Sequence, residues 1–275
     1  MVTASIVLYK NDVKEIKNVI DSFFCGSVDN KYLFLVDNSP SDMLRQVAMN
    51  YSEKVSYIFG HGNVGYGKGH NIAIKEAMKI NSKYHVILNP DISFGTETIP
   101  SLVHFMDNNQ DVGACIPDMS HPEGDRAYSC KLLPSPFTGF FRFFLKNSKL
   151  TNKINTEFHL KEADHSKVLD VPSISGCFMF LRVSAIKEVG MFDERFFMYY
   201  EDVDLSRRIK RKYRVCLCPN AKAIHVGRKE AYKSKKMMRI MINSYIKYFN
   251  KYYWLFDFEA KRMNKETLNN IPRIH

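Results

Sequence analysis

The sequence predicts an α/β fold: a mainly parallel sheet covered by helices, followed by an amphipathic helical segment at the C-terminal end. Three observations carry this. Strand-like and helix-like stretches alternate with short connections from residue 3 to about residue 112. The run YLFLVDNS (32–39) is continuously apolar until it ends in Asp-Asn-Ser, as a strand buried on both faces ends in a loop. A chain of 275 residues that is 45% hydrophobic can bury a full core.

Taken in order, TASIVLYK (3–10) is a β-rich opening. VKEIKNVIDSFF (13–24) sets Val13, Ile16, Val19, Ile20, Phe23 and Phe24 at helical spacing. After the second strand come a helix over 41–50, a strand VSYIF (55–59), a glycine loop, a helix from about 71 to 80 and the strand YHVILNPDI (84–92). Sheets of this kind bind ligands beyond the carboxyl ends of their strands. Those ends carry Asp37, the segment Gly60 to Asn71, and Asn89 to Asp91. Beyond residue 112 the rhythm breaks into the shorter pieces VGACIPDM, AYSCKLL and VPSISGCFMFL.

Forty Lys and Arg against 29 Asp and Glu give a net charge of +11. Such a balance favours anionic partners: nucleic acid, anionic lipid or phosphorylated substrates. The six cysteines form no CxxC pair and no charged-then-apolar leader precedes the first strand, so the expected setting is a reducing cytosol. The longest apolar stretches fall short of the roughly 20 residues a spanning helix needs. Any membrane contact is therefore expected to be peripheral.

Four stretches could carry chemistry. GHGNVGYGKGHN (60–71) satisfies GxGxxG but lacks the acidic residue that would hold a ribose, and it reads GxxxxGK but has Gly69 where a Walker loop needs Ser or Thr. Its glycines, with Asn63, Lys68 and Asn71 between them, suit close approach to a ligand, although a plain flexible loop would use glycine too. LNPDISF places Asn89 and Asp91 past an apolar strand, which could suit a hard cation but, taken alone, is better read as an ordinary Pro-Asp turn. AIHVG holds one His, His225, which alone reads as a surface or satisfied core residue. FFMYYEDVDLSRRIKRKY (196–213) sets Glu201, Asp202 and Asp204 at the start of a helical pattern, either as first-turn acids or as a reacting carboxylate.

In this order and spacing, VDNS, GNVGYGKGHNIAI, LNPDI, SGCFMFLRVSAIKEVGMFDERFFMYYEDVDLSRRIKRK and AIHVG resemble the family-2 inverting glycosyltransferases, in particular their bacterial rhamnosyltransferase-like branch, over about residues 3 to 228. The resemblance implies a GT-A fold, a Rossmann-like catalytic domain over 1–228 with a nucleotide-sugar-binding half (about 1–118) and an acceptor-binding half (119–228). It implies that Asp37 contacts the nucleotide base and that Gly65, Lys68 and Asn71 help enclose the nucleotide. The DXD motif of the family falls on Asn89-Pro90-Asp91, with Asn in place of the first acid. Asp91 and His225 are then the ligands of a divalent cation, Mg2+ or Mn2+. Asp202 is the general base, Glu201 its neighbour, whose like charge is expected to raise the pKa of the base. Asp204 is expected to support the helix, and Arg207 and Arg208 to lie on a solvated face.

Residues 229–275 form a basic, aromatic tail. Met237, Ile240, Met241, Ser244, Tyr245, Tyr248 and Phe249 follow helical spacing, on a face that packs on the domain or meets a membrane. Tyr252 to Phe256 beside Lys247 and Lys251 suit an anionic membrane interface, as do the aromatics of 137–146. The expected reaction is inverting transfer of a sugar from a nucleotide-sugar donor, dTDP-L-rhamnose, to a polyprenyl-diphosphate-linked saccharide at the cytoplasmic leaflet, in the biosynthesis of a bacterial surface polysaccharide such as O-antigen or capsule. A UDP-hexose donor is the near alternative. A noncatalytic nucleotide or nucleic-acid binding module is the alternative of another class, but no basic patch of known nucleic-acid geometry appears. A P-loop ATPase ranks third.

Overall fold

The opening strand β1 (Val2–Leu8) is buried along its whole length in the computed structural model, which describes residues 1–139, 148–227 and 234–274. It lies in parallel between β2 (Lys31–Asp37) and β4 (Tyr84–Leu88), and β3 (Val55–Ile58) adds to β2. Burial on both faces explains the unbroken apolar runs. The helices α1 (Val13–Phe24), α2 (Arg45–Met49) and α3 (Tyr66–Lys79) make the crossovers. Asp12 caps α1 by accepting the Lys14 N–H, and Ile16, Val19, Ile20 and Phe23 face the core.

Past β4 come β5 (Ile92–Ser93), α4 (Thr98–Asn108), β6 (Val112–Ser120), β7 (Cys130–Lys131), α5 (Lys149–Phe158), β8 (Leu169–Asp170), β9 (Ser173–Ile174), β10 (Phe178–Arg182), α6 (Val183–Val189), α7 (Glu201–Lys210) and β11 (Arg214–His225). The main sheet has the order β3-β2-β1-β4-β10-β6-β11-β5, with β8 also on β11 and β7 paired to β9 apart from it. β10 runs antiparallel to both β4 and β6, while β11 is parallel to β6. Phe178 pairs with Leu88 and His225 with Ile92. The start of β10, the end of β4 and the end of β11 therefore meet at one edge.

Two expected helices change their limits. The run 41–50 is helical only over α2, whose N-cap Leu44 offers no side-chain cap. The helix expected from about 71 begins at Tyr66, so the second half of the supposed glycine loop is helix. Gly67 and Gly69 each cost a helix about 1 kcal/mol against Ala, but a Cβ on them would come 3.0 Å from Phe192 Cβ and 2.8 Å from Val7 Cγ2. Here the glycines serve the packing of α3 against β1 and the chain before α7. Gly65 is more constrained still: its φ is +90° and a Cβ would sit 2.3 Å from the Phe197 carbonyl oxygen. Gly65→Ala is expected to lower stability by about 2 kcal/mol or more, read from the urea unfolding midpoint.

The tail folds onto the domain. α8 (Lys235–Lys251) buries Met241, Ser244, Tyr248 and Phe249, and with Tyr252 this face packs on Phe196, Tyr200 and Val203. α9 (Phe258–Asn270) is capped by Asp257 and buries Ala260, Met263 and Thr267. Arg207, expected on a solvated face, is 1% exposed. Its guanidinium donates to both Asp257 oxygens at 2.6 and 2.5 Å and to Glu259 at 2.7 Å, and lies 3.7 Å from the Tyr252 ring centroid. Arg208 donates to Asp204 and to the carbonyls of Val189, Gly190 and Met191 at the end of α6. Asp204, fully buried, also accepts from Lys251 and Tyr252. The expected solvation fails because partners some 50 residues away supply the carboxylates. The aromatics expected over 140–146 and the start of the tail at 229–233 lie outside the described residues.

Candidate active site

At the shared edge, β4 ends at Leu88 and the chain turns through Asn89, Pro90 and Asp91 into β5. Asp91 Oδ1 lies 3.4 Å from His225 Nε2, and the Gly227 N–H donates to Asp91 Oδ2 at 3.2 Å. Burial would lower the His225 pKa, but hydrogen bonds to Asp91 and Cys177 outweigh it and push it up to about 10. Burial would raise the Asp91 pKa, yet His225 and the Gly227 N–H hold it below the usual carboxylate range. The imidazole is thus charged at neutral pH in the free protein, and a cation bound there would replace its proton. Among the described residues no group of three or more His, Cys, Asp or Glu side chains is arranged to hold a metal. A carboxylate and an imidazole facing one another still fit Mg2+ or Mn2+, which commonly take one or two protein ligands and complete their shell with substrate phosphates and water.

Asp202 stands in the first turn of α7. Its Oδ2 accepts the Gly176 N–H at 2.9 Å and its Oδ1 the Val203 N–H at 2.9 Å. Gly176 allows this approach, because a Cβ there would lie 3.1 Å from Asp202 Cβ. The residues presenting the turn, Tyr199 and Tyr200, have φ of +69° and +68°. Left-handed backbone costs bulky residues roughly 1–3 kcal/mol each. Packing of Tyr200 with Tyr248 and the bond from Ser244 to the Met198 carbonyl hold it in place. α8 is therefore part of what shapes this site.

Glu201 behaves differently from its neighbour. It is 5% exposed, its Oε2 has no partner, and burial followed by the charge of Asp202 pushes its pKa well above the carboxylate range. Burial and, after it, the neighbouring Asp202 charge thus both favour the protonated form of Glu201.

One residue that the sequence reading passed over links the two clusters. The Tyr66 hydroxyl, 2.7 Å from the Gly176 carbonyl and 2.8 Å from Asn89 Oδ1, joins the turn that carries Asp91 to the glycine that holds Asp202. The Asn89 N–H also donates to the Cys177 carbonyl at 2.8 Å. Asn89 is thus engaged with Tyr66. The only sequence signal was an aromatic after Gly65, which local pattern assigns no role.

Of the other expected donor residues, Asp37 ends β2 and Gly65 precedes α3, while Lys68 and Asn71 lie within α3. Asp37 is fully buried, with Oδ2 2.5 Å from the Tyr57 hydroxyl and Oδ1 accepting the Ser39 N–H. The next residue, Asn38, donates to the Gly65 carbonyl and meets His61 Nε2 at 2.9 Å, so Asp37 and Gly65 share one wall. Asn71 is drawn away from them: its amide bonds both the N–H and the carbonyl of Phe192, and reaches Glu194. Lys68, nearly half exposed, pairs with Glu194 at 3.4 Å. These two side chains tie α3 to the chain before α7.

A family model described as Glycosyl transferase family 2 matches residues 5–190, which contain Asp37, Tyr66 and Asp91 but stop short of Asp202 and His225. The N-acetylglucosaminyl-diphospho-decaprenol L-rhamnosyltransferase of Mycobacterium tuberculosis is 28% identical over 202 residues, 70% of this chain and 66% of that protein. The chain therefore spans just under two thirds of that relative. Rhamnosyltransferase WbbL of Escherichia coli K12 is 29% identical over 207 residues, 72% of this chain and 74% of that one. Among solved structures, the mannosyltransferase PcManGT from Pyrobaculum calidifontis in complex with GDP-Man and Mn2+ superposes with a TM-score of 0.62 at 15% identity, over 98% of this chain and 74% of that chain. The likeness shows the GT-A fold.

Proposed function

Because the chain belongs to glycosyl transferase family 2, we propose that it transfers a sugar, with inversion, from a nucleotide donor to a lipid-linked saccharide. The donor is dTDP-L-rhamnose and the acceptor a polyprenyl-diphosphate-linked saccharide at the cytoplasmic face of the membrane, serving a bacterial surface polysaccharide. One observation carries this reading: Asp202 and the Asp91–His225 pair, over 100 residues apart in part, are held together through Gly176, Tyr66 and Asn89. The rhamnosyltransferase names of both relatives support rhamnose as the sugar, and the name of the Mycobacterium tuberculosis relative supports a lipid-linked acceptor. No described helix is long and apolar enough to cross a membrane.

In the reaction the acceptor hydroxyl oxygen bonds to the anomeric carbon from the face opposite the diphosphate, and the bond from that carbon to the diphosphate oxygen breaks. Asp202 takes the hydroxyl proton. Its carboxylate is fixed for this by the Gly176 and Val203 amides, which donate to its two oxygens. Asp91 and His225 would hold a divalent cation, whose charge offsets that growing on the departing diphosphate. Asp37 and Gly65 wall the nucleotide end.

A thermal-shift screen of nucleotide sugars, with and without manganese, tests the reading. With manganese present, dTDP-L-rhamnose at about 100 times its dissociation constant should stabilise the protein by about 2.7 kcal/mol, and the same concentration without manganese should stabilise it less. Stabilisation by a UDP-hexose alone would move the donor assignment. Stabilisation by no nucleotide sugar, with tight salt-dependent oligonucleotide binding instead, would sink it.

A further inference from the structure

We propose that the turn between the two C-terminal helices, Tyr253 to Phe258, is a docking knuckle that seats the protein on an anionic bilayer, with the helix of Asp202 mounted directly behind it. Tyr253, Leu255, Phe256 and Phe258 are 76%, 54%, 72% and 70% exposed. Ile242 and Ile246, also exposed, continue this surface along α8 at helical spacing. Scattered apolar residues on a surface are ordinary, but a run of four large ones on a single turn marks a contact.

The turn is clamped at both ends to α7. The Tyr252 hydroxyl donates to Asp204 at 2.7 Å, and Asp257 receives the buried Arg207 guanidinium. Trp254 is pinned within, its Nε1–H donating to Asn250 at 2.7 Å and its ring against Phe249. Tyr253 and Trp254 both take left-handed backbone, φ +61° and +47°, which turns the neighbouring side chains outward. A local structure so firmly held, with apolar tips more than half exposed, is built for something outside the chain.

Charge selects the occupant. A second copy of a chain carrying +11 is repelled, whereas an anionic headgroup layer is attracted. Lys261, with Nζ 5.5 Å from the Phe258 ring centroid, places a cation beside the exposed rings, and exposed Arg262 and Lys265 follow on the same helix, Arg262 3.9 Å from Glu266; a cation next to an exposed ring suits headgroups. The use of such a mount, which would present Asp202 to a lipid-linked acceptor, rests on the transferase reading. The contact itself does not.

The test is co-sedimentation of the full chain with phosphatidylcholine vesicles, with and without phosphatidylglycerol. The wild type should pellet with the anionic vesicles, less so in high salt. Leu255→Ser with Phe256→Ser should weaken binding about 100-fold or more, and Phe258→Ser alone about tenfold, with melting temperatures unchanged because the side chains are exposed. Absence of wild-type binding to anionic vesicles, or binding indifferent to these substitutions, would overturn the proposal. So would a wild-type dimer in sedimentation velocity that the double variant disperses while vesicles remain unbound, which assigns the knuckle to a second copy. Transfer to a short water-soluble acceptor separates the two readings. Vesicle binding without any transfer sinks the transferase alone, and transfer equal in wild type and double variant without vesicle binding sinks the knuckle alone.

Discussion

Asp202→Asn is expected to lower kcat by about 10²- to 10⁴-fold while leaving the affinity for the nucleotide sugar close to that of the wild type. The amide cannot take the acceptor proton, and one of the two backbone N–H groups now met by the carboxylate would face an amide NH2 instead. Donor titration and steady-state kinetics on the same preparation separate loss of the base from loss of the site. Glu201→Gln supplies the contrast. Glu201 is buried and its surroundings favour the protonated form, so its near-isosteric amide should cost far less in turnover than the Asp202 change. Near-full turnover in Asp202→Asn with donor binding intact would remove Asp202 from the role of base.

Arg207→Ala is expected to destabilise the fold by about 3–5 kcal/mol, because it strands the Asp257 carboxylate in a buried setting with no guanidinium. Urea unfolding reads this directly. The pH dependence of the wild type carries the same signature. Hydrogen bonding to Arg211, then to Arg207, holds the Glu259 pKa down at about 2 against 4.5 unfolded. A depressed pKa contributes stability that is fully present above the unfolded value and lost as pH falls through the folded one. The wild type should therefore lose stability between about pH 4.5 and pH 2, and Arg207→Ala should show a shallower loss over that window. An Arg207→Ala protein as stable as the wild type would mean that the tail adds nothing to the domain. In that case the support it gives to Tyr200 and the Asp202 turn would also be in error.

The tail thereby takes on a double part. Its inner face, Tyr248, Phe249 and Tyr252, packs beneath the strained Tyr199–Tyr200 turn. Removing the whole tail would disturb the base as well as any membrane contact, so the knuckle is better tested by substitution of exposed rings than by truncation.

Local pattern was enough for the alternation of strands and helices, the burial of β2 on both faces, and the placing of Asp37, Asp91, Asp202 and His225 at the ends or starts of elements. These follow from spacing and from the chemistry of strand ends, which are recorded residue by residue. It was not enough for Gly67 and Gly69, which local statistics assign to a loop and which lie inside a helix pressed on Val7 and Phe192. Nor could it foresee that Arg207 would be buried against Asp257, that Glu201 would be buried with Oε2 unpartnered, or that Tyr66 would reach Gly176 across 110 residues of chain. Periodicity along a chain records which side of an element is covered. What covers it, and hence whether a charge is solvated, paired or protonated, depends on contacts between distant segments that exist only once the whole chain has packed.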